Sequence, residues 1–102
     1  MKALIRLSAE DNVAVAIRNI AASAEVEVDG LRLVARDPIP FAHKMALRPV
    51  RPGDKLIKYG VPIGSATRAI EPGGHVHVHN IKSDYVNNEV DNFEEADASG
   101  DG

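Results

Sequence analysis

Cysteine and tryptophan are absent from this 102-residue chain, and the aromatic residues are only two Phe and two Tyr. No disulfide, thiolate nucleophile or Cys-based zinc site can therefore be built, and the core must be assembled from aliphatic side chains. Long apolar runs are missing too. The opening Met1-Lys2-Ala3-Leu4-Ile5-Arg6-Leu7 is broken at Arg6 before a secretory apolar region develops, and no later stretch approaches the roughly 20 residues of a membrane helix. A soluble, cytoplasmic protein without a membrane partner is expected. Basic residues are scattered among acids rather than massed with stacking aromatics, which argues against a nucleic-acid partner.

The length suits one domain with a modest core, too small for separate cofactor and substrate domains. The net charge of −3 hides a division: from Ser83 onward there are seven acids and no Lys or Arg, so residues 1–82 carry +4. We expect a folded domain over residues 1–82 and an acidic, flexible C-terminal tail over 83–102, where Phe93 is the lone large anchor. The closing Ser99-Gly100-Asp101-Gly102 reads as a natural end with no second domain behind it.

Short strands punctuated by turns dominate. Ala3–Leu7 reads as an opening strand, and Asp11 as the N-cap of one short helix from Asn12 to Ala22, since Val13, Ile17, Ile20 and Ala21 share a helical face. Glu25-Val26-Glu27-Val28, Asp29-Gly30 and Leu31-Arg32-Leu33-Val34 form a hairpin whose Asp-Gly turn tolerates positive φ, with one face left wet. Six prolines cut the remainder into strand-sized pieces. Arg48–Leu56 echoes Arg68–Val76 through a shared Pro-Gly, as if one turn were used twice in a pseudo-symmetric β domain.

Gly73-Gly74-His75-Val76-His77-Val78-His79-Asn80 holds most of the chemistry. If it is extended, its period of two puts His75, His77 and His79 on one face and turns Val76 and Val78 into the core. Alternate positions lie about 6 to 7 Å apart along a strand, so neighbouring imidazoles can reach one divalent metal, while all three require curvature. A solvated strand face would carry the same residues. His43-Lys44 suits an anionic substrate, or is a solvated loop pair. Lys58-Tyr59 sits at a Gly-rich bend where it could meet a carboxylate and a hydroxyl, or form an ordinary turn.

Four segments in order, Asp11–Ala16, His43–Leu47, Ile57–Gly64 and His75–Asn80, resemble the amino-terminal SAF domain of the altronate and galactarate dehydratase family. The resemblance implies a mainly β, β-clip fold. It also implies a lyase that removes water, or in sulfolactate sulfo-lyase-type split enzymes breaks a carbon–sulfur bond, by β-elimination from a sugar acid or similar hydroxy acid. A divalent metal would assist, Fe2+ first and Mn2+ or Mg2+ as alternatives, shared with or held by the larger part of the enzyme. Longer family members continue into a large catalytic region that does not occur in this sequence. A small subunit needing a large catalytic dehydratase-like chain is thus expected, inactive by itself. By the same resemblance His75, His77 and His79 are candidate metal ligands and catalytic groups, and His43, Lys44, Lys58, Tyr59 and Asn80 candidate substrate contacts. A noncatalytic carbohydrate-binding or regulatory SAF module, and a domain excised from a larger enzyme, are the alternatives.

Overall fold

The computed structural model describes residues 2–84, so the tail expected to be flexible lies outside the described residues from position 85 onward. The first acid of that segment is described: Asp84 accepts hydrogen bonds from Lys55 Nζ at 2.7 Å and Ser65 Oγ at 2.8 Å, fastening the end of the domain to the strands that carry these two residues. The described residues form β1 (Leu4–Ile5), β2 (Val13–Ala16), β3 (Glu25–Val28), β4 (Leu31–Val34), β5 (Lys44–Ala46), β6 (Lys55–Lys58), β7 (Val61–Ala66), β8 (His75–Val76) and β9 (Ile81–Lys82). Every pairing is antiparallel. The sheets run β1-β2-β5-β8, β3-β4 and β6-β7-β9. This is the mainly β, β-clip arrangement.

No helix occurs among the described residues, which corrects the expectation for Asn12–Ala22. Val13-Ala14-Val15-Ala16 instead forms a strand between β1 and β5, with core on both faces, so its apolar run shows no strand-like alternation and imitates a helical face. Ala14 and Ala16 pack with Met45 in one cluster, while Val13 packs with Ala46 and Val76 in a second cluster on the other side. Asp11 caps no helix. Its carboxylate accepts the Gly60 N–H at 2.7 Å and, from the near side, the Ser8 N–H at 3.3 Å.

The β3–β4 hairpin forms in the expected register, with Val28 opposite Leu31 and with positive φ at both Asp29 and Gly30. β6–β7 repeats it around Tyr59 and Gly60, both again at positive φ. The turn made by Pro52-Gly53 and Pro72-Gly73 occurs twice more without Pro-Gly, four times in all among the described residues. In each, an N–H bonds back three residues, Ala24 to Ala21, His43 to Pro40, Asp54 to Arg51 and Gly74 to Glu71. The preceding residue, Ser23, Ala42, Gly53 or Gly73, holds positive φ and donates its own N–H to the carbonyl of Ala35, Ala16, Ala66 or Ala46. Those four alanines are all buried, because a larger side chain would push the turn off the strand it caps. The isolated bridges Ile20–Ile39 and Val50–Ile70 join the turns in pairs, giving two similar halves.

Candidate metal and substrate site

β8 is the open edge of the four-stranded sheet, and it stops after Val76. Asn80 ends it. Its amide Nδ2 donates to the His75 carbonyl at 2.8 Å, its Oδ1 accepts the His77 N–H at 3.0 Å, and its backbone N–H bonds to the His77 carbonyl at 3.1 Å. Asn80 is 4% exposed, so the structure places it beneath the histidine segment, where it shapes the backbone. Val76 is fully buried as expected, but Val78 is 65% exposed. The expectation for Val78 is therefore corrected, because the tight turn held by Asn80 interrupts the period of two after Val76.

The pairing of β5 with β8 brings His43 into the cluster. His43 Nδ1 and His75 Nε2 lie 2.8 Å apart, a distance at which one nitrogen must donate and the other accept. The His43 and His77 rings stack at 3.7 Å between centroids, and His75 and His77 are 5.8 Å apart. One ring nitrogen from each of His43, His75 and His77 falls within 4.8 Å of the others. His79 stands outside that trio, exposed and tilted 32° against His75 at 5.0 Å. His43 thus occupies the place that the sequence reading gave to His79.

Burial lowers the His75 pKa below its ordinary 6.5, helped by His79, His43 and His77, while Asp37 opposes the shift; Asp37 also accepts the His75 N–H at 3.0 Å. Burial likewise lowers His77, reinforced by His43, Lys44 and His79. Both imidazoles are neutral near pH 7 and able to donate a lone pair. His77 Nδ1 is buried without a hydrogen-bond partner among the described residues. Such an atom costs free energy unless something satisfies it.

A divalent ion fits this donor set. Two nitrogens in adjacent positions around an ion at about 2.1 Å would stand about 3 Å apart, close to the observed 2.8 Å. Imidazole nitrogens suit Fe2+ better than Mn2+, which favours oxygen ligands, and far better than Mg2+, which also retains its waters.

Cations stand beside the rings. By the strand period Lys44 points to the opposite face of β5 from His43, yet both act electrostatically on His77, which lies beyond the end of β8. Burial and then Lys58 lower the Lys44 pKa below its ordinary 10.5. Among the described residues neither lysine forms an ion pair. Lys58 Nζ sits 5.2 Å from the Tyr59 ring centroid. Tyr59 holds φ of 59°, a conformation that a bulky residue adopts only at a cost. Asp11 explains how: burial alone would raise its pKa, but the N–H groups of Gly60, Tyr59, Ser8 and Leu7 outweigh burial and lower it. Asn12 adds to this brace, accepting the Ile57 N–H at 2.8 Å and donating to the Lys55 carbonyl at 2.9 Å.

The structure therefore gathers His43, His75 and His77, with His79 against His75 and Lys44 within electrostatic reach of His77, while Lys58 acts in turn on Lys44 and lies over the Tyr59 ring. Asp11, Asn12 and Asp37 escaped the reading as site-building residues. For the first two the Asp-Asn pair was visible, but its partners lie more than 40 positions away in the chain.

Comparison with known proteins shows the family. The family model for the altronate/galactarate dehydratase SAF domain matches residues 2–84. Altronate dehydratase from Bacillus subtilis is 39% identical over 83 residues, 81% of this chain and 17% of that protein. Altronate dehydratase from Escherichia coli is 43% identical over 79 residues, 78% of this chain and 16% of that protein. The (2R)-sulfolactate sulfo-lyase subunit alpha of Paracoccus pantotrophus is 48% identical over 52 residues, 51% of this chain and 78% of that subunit. This chain thus spans under a fifth of the altronate dehydratases but most of the small subunit. It belongs to the altronate/galactarate dehydratase SAF-domain family.

Proposed function

We propose that this chain is the small β-clip part of a two-chain, cytoplasmic hydroxy-acid lyase, working with a large catalytic dehydratase-like chain on a sugar acid of the altronate or galactarate type. The observation that carries the reading is the convergence of one ring nitrogen each from His43, His75 and His77, with His77 Nδ1 buried and unsatisfied. The family relation supports lyase chemistry, and the sulfo-lyase subunit alpha relation supports a separate small subunit.

In β-elimination the C–H bond α to the carboxylate and the C–O bond at the β carbon break while a C=C bond forms. The proton passes to a base, the hydroxyl leaves as water after protonation, and the enol becomes a 2-keto-3-deoxy acid. Where the leaving group is sulfonate, a C–S bond breaks instead. His43, His75 and His77 would hold Fe2+, or Mn2+ in its place. Such an ion would stabilise negative charge on the substrate's carboxylate and hydroxyl oxygens. Lys44 and Lys58 attract and orient the carboxylate, and their burial strengthens that attraction. His79, outside the trio and exposed, is placed to exchange a proton with substrate or solvent. Tyr59 offers its hydroxyl to a substrate hydroxyl, and Asn80 fixes the backbone that aims His75 and His77.

The test is reconstitution. The purified chain should turn over altronate, galactarate or sulfolactate negligibly, and adding a large catalytic dehydratase-like chain from the same organism should restore elimination. In the assembled enzyme His77→Ala should lower turnover at least about a hundredfold with little change in melting temperature. Anaerobic calorimetry should show Fe2+ binding by the wild-type chain and its loss in His43→Ala. Full activity of the small chain alone, or unchanged turnover in His77→Ala, would overturn the proposal.

A further inference from the structure

Seven large apolar side chains are exposed among the described residues, and four of them neighbour candidate site residues in the chain or in strand register. Phe41 (62% exposed) lies two positions before His43, and Val78 directly follows His77, whose ring stacks on that of His43. Tyr59 adjoins Lys58, and Val61 stands opposite Lys58 in the β6–β7 register. Lys44, which acts electrostatically on His77, and Lys58, which acts on Lys44 and lies over the Tyr59 ring, have no carboxylate partner among the described residues. Elsewhere the exposed large apolar residues are Leu7 and, on the β3–β4 hairpin, Leu31 and Val34.

Exposed apolar groups next to unpaired cations and an unsatisfied imidazole are poorly suited to water and well suited to being covered. The cover must bring negative charge for the two lysines and must leave room for a small acid. A second copy of this chain would set lysines against lysines. In the altronate dehydratases the matched segment is only 16 to 17% of a longer protein, so the remainder of such an enzyme is the available cover of sufficient size.

Resting on the function proposed above, we infer that the face bearing Phe41, Val78, Tyr59 and Val61 is the docking surface for the large catalytic chain. That chain places acidic groups opposite Lys44 and Lys58 and closes the site between the two proteins. Phe41 and Val78 are its apolar anchors.

Titration calorimetry of this full chain against the large catalytic dehydratase-like chain from the same organism decides the matter. Phe41→Ser and Val78→Glu should each weaken association at least about tenfold, as loss of a central anchor does. Leu31→Glu and Val34→Glu, on the far hairpin, should leave it within about twofold. Both pairs alter exposed side chains, and melting curves of each variant verify folding. Wild-type binding that Phe41→Ser and Val78→Glu leave intact, or that the hairpin variants weaken more, overturns the docking face while the lyase reading stands. Failure of the wild-type chain to bind the large chain overturns both. Self-association of the wild-type chain that Phe41→Ser abolishes assigns the face to a second copy and also overturns the inference.

Discussion

Replacing Val76 with Ala and, separately, Val78 with Ala tests where β8 stops, and hence how the histidines are arranged. Val76 is fully buried against Val13, Ala46, Val50 and Leu56 and lies opposite Lys44 on β5. The substitution removes the equivalent of two methyl groups, about 0.8 kcal/mol each by transfer, and leaves a small void in a closely packed cluster. The expected loss is about 2 kcal/mol. For a domain of this size that lowers the melting temperature by roughly 8 to 16 °C. Val78 is 65% exposed, and its truncation should change stability by no more than about 0.5 kcal/mol. Urea unfolding followed by circular dichroism measures both, with the slope checked for constancy so that the midpoint reports stability. Equal losses at the two positions would refute the reasoning: the strand would then run on through His79, and all three alternate histidines would share one face without the Asn80 turn.

Two other substitutions probe the supports of the site. Asp11→Asn should cost about 3 kcal/mol in urea unfolding, because an amide nitrogen would face the N–H donors of the hairpin and leave at least one of them unsatisfied; a loss below about 1 kcal/mol would show that the carboxylate is not the brace. The lowered Asp11 pKa adds a pH signature: its stabilisation is present above its ordinary 3.8 and is lost as pH falls through the folded value, so acid unfolding should be shallower in the variant. Lys44→Met should raise the neutral-pH melting temperature while weakening substrate binding in the assembled enzyme. With the folded pKa below 10.5, the unfolded chain binds more protons between the two values, so wild-type stability climbs as pH rises toward 10.5, and the variant should lose that climb. A lower melting temperature for Lys44→Met at neutral pH would contradict the cost assigned to this desolvated charge.

Sequence alone determined the strand-rich class, the Asp29-Gly30 hairpin and its register, the Pro52-Gly53 and Pro72-Gly73 turns, and the burial of Val76. Those features depend on neighbours a few positions apart, where φ preferences and side-chain period act directly. The other two turns were hidden because Ser23 and Ala42 hold the left-handed conformation without glycine, supported by Ala35 and Ala16 carbonyls distant in the chain. Helix and strand could not be told apart over Val13–Ala16, since a strand buried on both faces has no alternation to display. The histidine-rich segment announced a site but not its membership. His43 joins it because β5 pairs with β8, and His79 leaves the trio because Asn80 bends the chain. Residue identity was local information, whereas convergence of the imidazoles depended on which strands lie side by side, and that was decided by packing the two cores against opposite faces of one sheet.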